Sequence, residues 1–292
     1  GWPAERRSFT RKQLDEITAL KQRHARTRVI PSACLRVNPR QSSCHDLLLK
    51  ETLSELVSIL IPFRDRVELT KICVQSLQAN ASDSVPFEII LIDNGSEEDC
   101  TKMWIQEITQ STHIHCLRID EPFNFSRLNN LARKACNGDH LLFLNNDIEF
   151  LSSNILNQLL DPFAHPGTAA VGARLLYPDR SIQHQGVVII KGERRCVLEP
   201  GKHLHQPEVI DSLIPLKVQE EFSAASAACL LVKADRFDAI GGFNEELAVV
   251  FNDVDLCLRL REDGGHIVVT PHPAIIHHES VSRGKDLEGK AW

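Results

Sequence analysis

The 292-residue chain has no Cys-x-x-Cys pair, no G-x-G-x-x-G, no G-x-x-x-x-G-K-[S/T] and no G-x-S-x-G. Each absence narrows the reading. Nine cysteines stand at positions 34, 44, 73, 100, 116, 136, 196, 229 and 257. Their odd number and scatter argue against a zinc cluster or a disulfide framework and for reduced thiols in a cytosolic protein. Without glycine-rich phosphate loops, dinucleotide dehydrogenases and P-loop enzymes lose their usual signature. Without the serine elbow, a serine hydrolase does too. No apolar run approaches the roughly 18 residues of a membrane-spanning helix, and the first residues carry no signal-peptide core.

Hydrophobic residues make up 42% and charged residues 25%, which places the chain among ordinary globular proteins. The charge is uneven. Residues 1–53 hold 11 Lys and Arg against 5 Asp and Glu, a net of +6, and the remainder is net −12. Residues 1–53 therefore read as a basic helical extension with a proline-containing linker. They are either a solvated arm or a peripheral contact with anionic lipid heads. No nucleic-acid partner is expected.

From Val57 the pattern alternates between strand and helix. "VSILIPF" (57–63), "FEIILIDNGS" (87–96), "HIHCLRID" (113–120) and "HLLFL" (140–144) are short apolar runs that read as buried strands. "RVELTKICVQSLQAN" (66–80) and "FSRLNNLARKAC" (125–136) carry apolar residues at helical spacing. This order predicts an α/β fold with a mostly parallel sheet, whose ligands bind at the carboxyl ends of strands. Asp65, Asp93 and Asp147 fall at or just past such ends. The second half adds strand pairs around 168–190, a strand and helix up to Gly241-Gly242, a helix opening with Asp253 and Asp255, and a strand ending in His277-His278. Acids, asparagines and histidines at strand ends suit a divalent cation and, through it, a diphosphate.

The blocks "VSILIPFRDR", "FEIILIDNGSEED", "NFSRLNNLARKACNGDHLLFLNNDIEF", "IQHQGVVI", "AACLLV", "IGGFNEELAVVFNDVDLCLRLREDGG" and "IIHHESVSRG" resemble, in order, those of family 2 glycosyltransferases. Within that family the likeness is to bacterial polysaccharide and O-antigen enzymes of rhamnosyltransferase-like kind. It covers about residues 55–284.

The resemblance implies a GT-A fold over 54–284, with a tail at 285–292 that suggests a module cut from a longer polypeptide. It implies a nucleotide-diphospho-sugar donor (dTDP- or UDP-linked), Mg²⁺ or Mn²⁺, and inverting transfer to a glycan or lipid-linked glycan at the cytoplasmic face of the membrane. Other modules of a larger glycosyltransferase are implied partners. Asn145, Asn146 and Asp147 stand at the family's Asp-x-Asp motif, with Asn145 in place of its first acid and Asp147 as the metal ligand. Asp93 and Asn94 stand at the base-recognition turn, with Pro62, Phe63 and Asp65 lining the same pocket.

Arg127 is placed to pair with the diphosphate. Asp253 matches the catalytic base and Asn252 replaces the acid before it. Asp255 is the alternative base, although it also stands four residues before Arg259 and can pair with it. His277 or His278 completes the metal site or meets a phosphate. His184, His203 and His205 belong to the donor or acceptor cleft, and the small residues 224–228 leave room for a sugar. Each assignment has a plainer rival: a turn at 145–147, a helix N-terminal acid at 65, 253 and 255, a surface arginine at 127, tight packing at 224–228. Two rival functions remain, a sugar nucleotidyltransferase and a non-catalytic glycan-binding scaffold.

Overall fold

A computed structural model describes residues 55–81, 84–190, 196–198 and 220–278. The extension at 1–53, His203, His205 and the tail at 285–292 lie outside them. The expected apolar runs become strands β1 (Val57–Phe63), β2 (Phe87–Asp93), β3 (Ile114–Arg118) and β4 (His140–Leu144). β1 pairs in parallel with both β2 and β4, and β2 in parallel with β3. Their residues are mostly apolar because both faces are covered, with Ser58, Glu88 and His115 among the buried polar exceptions. Ile59 and Ile61 pack into one core and Leu60 into the other. Each such fully buried side chain contributes about 1.5–3 kcal/mol of transfer free energy.

Helices α1 (Val67–Asn80), α2 (Asp99–Ile108) and α4 (Ile155–Leu160) cover one face. Helices α3 (Phe125–Arg133), α5 (Ala234–Ala239) and α6 (Asn252–Glu262) cover the other. The α3 stretch ends three residues before the expected Cys136, its start capped by the Asn124 side chain, which accepts from Arg127 N at 2.9 Å.

The second half extends the sheet with β5 (Ile148–Phe150), β6 (Thr168–Leu176), β7 (Ile182–His184), β10 (Glu220–Phe222), β11 (Cys229–Lys233) and β12 (His266–His277). β8 (Val188–Ile190) and β9 (Cys196–Leu198) form a separate hairpin. The main sheet runs β10-β12-β6-β11-β4-β1-β2-β3. β11 is antiparallel to both β4 and β6, whereas β12 is parallel to β6. Two reversals restore the original direction. The carboxyl ends of β1, β2, β4, β6 and β12 therefore share one edge with the amino end of β11. The loops after 63, 93, 144, 176 and 277 and the segment before 229 all meet there.

Candidate active site

Asp147 sits at the heart of this edge, 4% exposed. β4 ends at Leu144, and Asn145 N donates to Ala228 O at 3.0 Å, which ties the 145–147 loop to the start of β11. Asn146 Nδ2 donates to Thr70 Oγ1 at 3.0 Å, and the Cys73 thiol donates to Asn145 O at 3.5 Å. Burial pushes the Cys73 thiol far up, and the Asp147 charge adds to the shift. It is a packed, protonated support under the loop.

β5 then pairs antiparallel with the end of β12, Ile148 opposite His277. This brings His277 Nε2 to 3.1 Å from Asp147 Oδ1. The other ring nitrogen, Nδ1, lies 2.6 Å from Gln183 Oε1 on β7. An amide oxygen only accepts, so Nδ1 carries the hydrogen. Asn145 Nδ2 is 3.2 Å from Nε2 and donates to it. In the neutral imidazole, the Nε2 lone pair and the Asp147 carboxylate thus converge, two electron-rich atoms at one point; a protonated ring would instead form an ion pair with Asp147. A half-turn of the Asn145 amide would add a third, its Oδ1. This donor set fits a divalent cation, with Gln183 holding the imidazole tautomer from outside. Among the described residues no cluster of three or more His, Cys, Asp or Glu side chains is placed to hold a metal. The set here is one carboxylate, one imidazole and one amide.

The structure separates the two adjacent histidines. Successive strand residues point to opposite faces. His278 Nε2 meets Glu149 Oε2 at 2.8 Å, while its backbone N donates to Asp147 O at 2.9 Å. It supports the loop instead of joining the donor atoms.

At the β1–β2 ends, the residues predicted to line the base pocket are largely occupied. Buried Asp93 accepts from Ser96 N and Arg118 Nη1, both at 2.8 Å. Asp65 has φ +48 and accepts from Glu97 N and Glu98 N, both at 2.9 Å. It ties the β1 loop to the start of α2, a helix other than the one that follows it in sequence. Phe63 packs edge-on against Trp104, and its carbonyl accepts from Asn94 N at 2.9 Å. Pro62 lies in β1 beside Ile92. Asn94 Nδ2 donates to Ile119 O and Glu121 O, at 2.9 and 2.8 Å. Its Oδ1 is buried and has no hydrogen-bond donor among the described residues, so one acceptor remains open in the turn. Gly95, with φ +78, makes the turn possible, because a Cβ there would come within 2.7 Å of Asp120 Oδ1.

Arg127 lies elsewhere than expected in its electrostatics. Nη2 donates to Glu121 Oε1 and Nη1 to Glu245 Oε2, both at 3.2 Å, and Nε also engages Glu121. Two carboxylates already neutralise this guanidinium and clamp α3 to the loop before α6.

The two candidate bases also separate. Asp255 accepts from Arg259 Nε at 2.8 Å, with Nη2 2.7 Å away in the ion pair, and Arg259 also donates to Ile240 O and Gly242 O. Asp255 therefore belongs to the turn that stops α5. Asp253, half-buried, accepts from Ala227 N at 3.2 Å and Val254 N at 2.8 Å. Since Ala228 receives Asn145 N, two successive alanines link Asp253 to the Asp147 loop. His184 Nε2 accepts from Ser226 N at 3.0 Å and Gly186 N at 3.2 Å, so it shapes the 224–228 segment. A depression of about 430 Å³ between Glu55, Val85, Phe163 and Lys233 lies at the opposite edge, where β4 starts, and holds none of these residues.

The family model for glycosyl transferase family 2 matches residues 58–214. The chain belongs to that family: it carries a glycosyltransferase domain with the GT-A fold. It is 41% identical over 233 residues to the uncharacterized protein y4gI of Sinorhizobium fredii, covering 79% of this chain and 25% of that protein. It is 34% identical over 238 residues to the O-antigen biosynthesis protein RfbC of Myxococcus xanthus, covering 81% and 18%. It spans a quarter or less of both. Against the N-acetylglucosaminyl-diphospho-decaprenol L-rhamnosyltransferase of Mycobacterium tuberculosis it is 26% identical, covering 69% of each chain. Among solved structures it is similar to GalNAc-T7 with UDP, GalNAc and Mn²⁺, with a TM-score of 0.62 at 15% identity over 77% of this chain and 44% of that one. It is also similar to a mannosyltransferase from Pyrobaculum calidifontis with GDP-Man and Mn²⁺, with a TM-score of 0.56 at 13% identity over 91% and 65%.

Proposed function

We propose that the domain is an inverting, metal-dependent glycosyltransferase that moves a sugar from a nucleotide-diphosphate donor to a glycan acceptor of a bacterial surface polysaccharide. The observation that carries the reading is the convergence of Asp147 Oδ1 and His277 Nε2 at 3.1 Å. Asp147, His277 and Asn145 would hold the cation. Imidazole beside carboxylate suits Mn²⁺ better than Mg²⁺, which favours all-oxygen shells. When bound, the cation supplies charge stabilisation for the leaving diphosphate.

The chain's own residues do the rest. Asn94 Oδ1 offers an acceptor to a pyrimidine imino hydrogen. Asp253 takes the proton of the acceptor hydroxyl as that oxygen attacks the sugar carbon from the side opposite the diphosphate. The Ala227 and Val254 amides hold its carboxylate for that task. The polysaccharide assignment rests on the relatives' names, the cytoplasmic placement on the scattered, odd-numbered cysteines, and the partner modules on the chain's spanning a quarter or less of two relatives. Membrane contact by residues 1–53 rests on their charge. Among the described residues no helix is long and apolar enough to cross a membrane.

Nucleotide release from UDP- and dTDP-sugars with and without Mn²⁺ tests the reading. Release that requires Mn²⁺ supports it. No release from any donor, with or without the ion, returns the domain to a scaffold role.

A further inference from the structure

With Arg127 neutralised, the site edge still carries an arginine that none of the roles above uses. Arg174 is the half-buried position in a strand otherwise buried from Thr168 to Leu176. Alternation puts it on the same face of β6 as Gly172. That face packs on the 224–228 segment, since a Cβ on Gly172 would lie 2.4 Å from Ala225 Cβ. The antiparallel register pairs Gly172 with Leu230. The ladder ends there, and a regular continuation by two residues would bring Arg174 level with Ala228, the residue whose carbonyl receives Asn145 N. At about 4.8 Å per strand, that register would place the Arg174 backbone about 10 Å from the Asp147 loop with one alanine between. Asp253 is bound to the adjacent Ala227. The side chains of residues 224, 225, 227 and 228 there are methyl groups.

The electrostatics of Arg174 differ from those of other arginines in the fold. Arg118, Arg127, Arg259 and Arg261 each hold a carboxylate. Arg174 makes no ion pair or hydrogen bond among the described residues. Burial alone acts on its guanidinium, drawing its pKa down from the ordinary arginine value. A half-buried cation without a counter-ion costs folding free energy. Such a cost is tolerated where a ligand supplies the missing charge.

We propose that Arg174 binds a phosphate group of a substrate held in this cleft, through the forked geometry that guanidinium offers to paired oxygens. The inference rests on the nucleotide-diphosphate reading above. The phosphate has two sources, the donor's diphosphate or a phosphate on the acceptor.

Titration calorimetry with the full chain separates them. One arm titrates UDP, dTDP and inorganic diphosphate in the presence of Mn²⁺, with uridine and thymidine as phosphate-free controls. The second adds inorganic phosphate to protein saturated with nucleotide and Mn²⁺. Arg174→Gln is expected to weaken one arm about 10-fold or more, the loss of a charge-assisted hydrogen bond. Arg174→Lys should recover part of that loss. A weakened first arm identifies the donor as the source, a weakened second arm the acceptor. The melting temperature of ligand-free Arg174→Gln should be equal to or above wild type, because an uncompensated charge has gone. Equal affinities in both arms, or a lowered melting temperature with nucleoside binding lost as well, would overturn the inference. Wild-type protein that binds inorganic diphosphate but no nucleotide would sink the donor reading and keep Arg174, provided Arg174→Gln loses that binding. Wild-type protein that binds no phosphate compound would sink both.

Discussion

Asp253→Asn and Asp255→Asn form a pair of perturbations two residues apart with opposite expected readouts. Asp255 is held by two guanidinium nitrogens of Arg259, and both side chains are just over one quarter exposed. An exposed pair contributes about 0–1 kcal/mol, and losing one partner of a fully buried pair costs about 3–5 kcal/mol. Discounted for solvent, Asp255→Asn should cost about 1–2 kcal/mol, or about 2–8 °C of melting temperature in a domain of this size. Turnover per folded molecule should stay close to wild type. Asp253→Asn keeps one carbonyl oxygen where the carboxylate accepted from both Ala227 N and Val254 N. It loses about one hydrogen bond, roughly 0.5–1.5 kcal/mol. Turnover should fall by about 10²–10⁴, the usual contribution of a general base. Nucleotide affinity should be nearly unchanged, because Asp253 is proposed to act on the acceptor hydroxyl and not on the nucleotide. Differential scanning fluorimetry and nucleotide release on the two variants give all the numbers. Turnover retained in Asp253→Asn, or lost in a well-folded Asp255→Asn, would refute the assignment.

Gln183→Leu removes the acceptor that fixes His277 Nδ1–H and should weaken Mn²⁺ binding about 10-fold or more. Gln183→Glu, which keeps an acceptor, should restore much of it. The ¹⁵N shifts of His277 in metal-free protein should show a mixture of tautomers only in the leucine variant, and an unchanged tautomer there would dismiss Gln183 from this role. A pH effect is expected at the far edge of the sheet. His140 is buried, with the Phe163 ring edge-on at 4.6 Å and Glu55 Oε2 3.1 Å from Nδ1. Burial lowers its pKa from 6.5, against the opposing pull of Glu55, Asp139 and Asp235 and with the help of Lys233. The unfolded chain then takes up this proton first as pH falls. Its contribution to stability is complete above about pH 6.5 and declines as pH drops towards the lowered folded value. His140→Phe should flatten the melting temperature between pH 7.5 and 5.5, and an unaltered slope would contradict this sign.

The sequence carried the parallel half of the sheet well, because strands covered on both faces read as mostly apolar runs. β1 ends at Phe63 as its letters suggest, and β2 stops where Asp93 and Gly95 turn. Strand direction is not written in such runs. The reversal at β11, which brings 224–228 to the Asp147 loop, came only with the structure. Charges were harder to read than strands. Arg127 looked available because one of its partners, Glu245, lies 118 residues away. Arg174 drew no attention because it sits between apolar neighbours. The His277–His278 split was accessible from strand alternation, which sends adjacent side chains to opposite faces. The pairing of Asp255 with Arg259 was visible in its four-residue spacing. The Asp65 caps at Glu97 and Glu98 needed the fold, since no local spacing links residues more than 30 apart.

The central claim is that Asp147 and His277 jointly hold a divalent cation. Electron paramagnetic resonance of free Mn²⁺, titrated with protein in the presence of UDP or dTDP, measures this directly. Wild-type protein should deplete the free-ion signal in a saturable way, and Asp147→Ala and His277→Ala should each restore most of it. A wild-type titration that leaves free Mn²⁺ unchanged, or two alanine variants that deplete it as fully as wild type, would contradict the account.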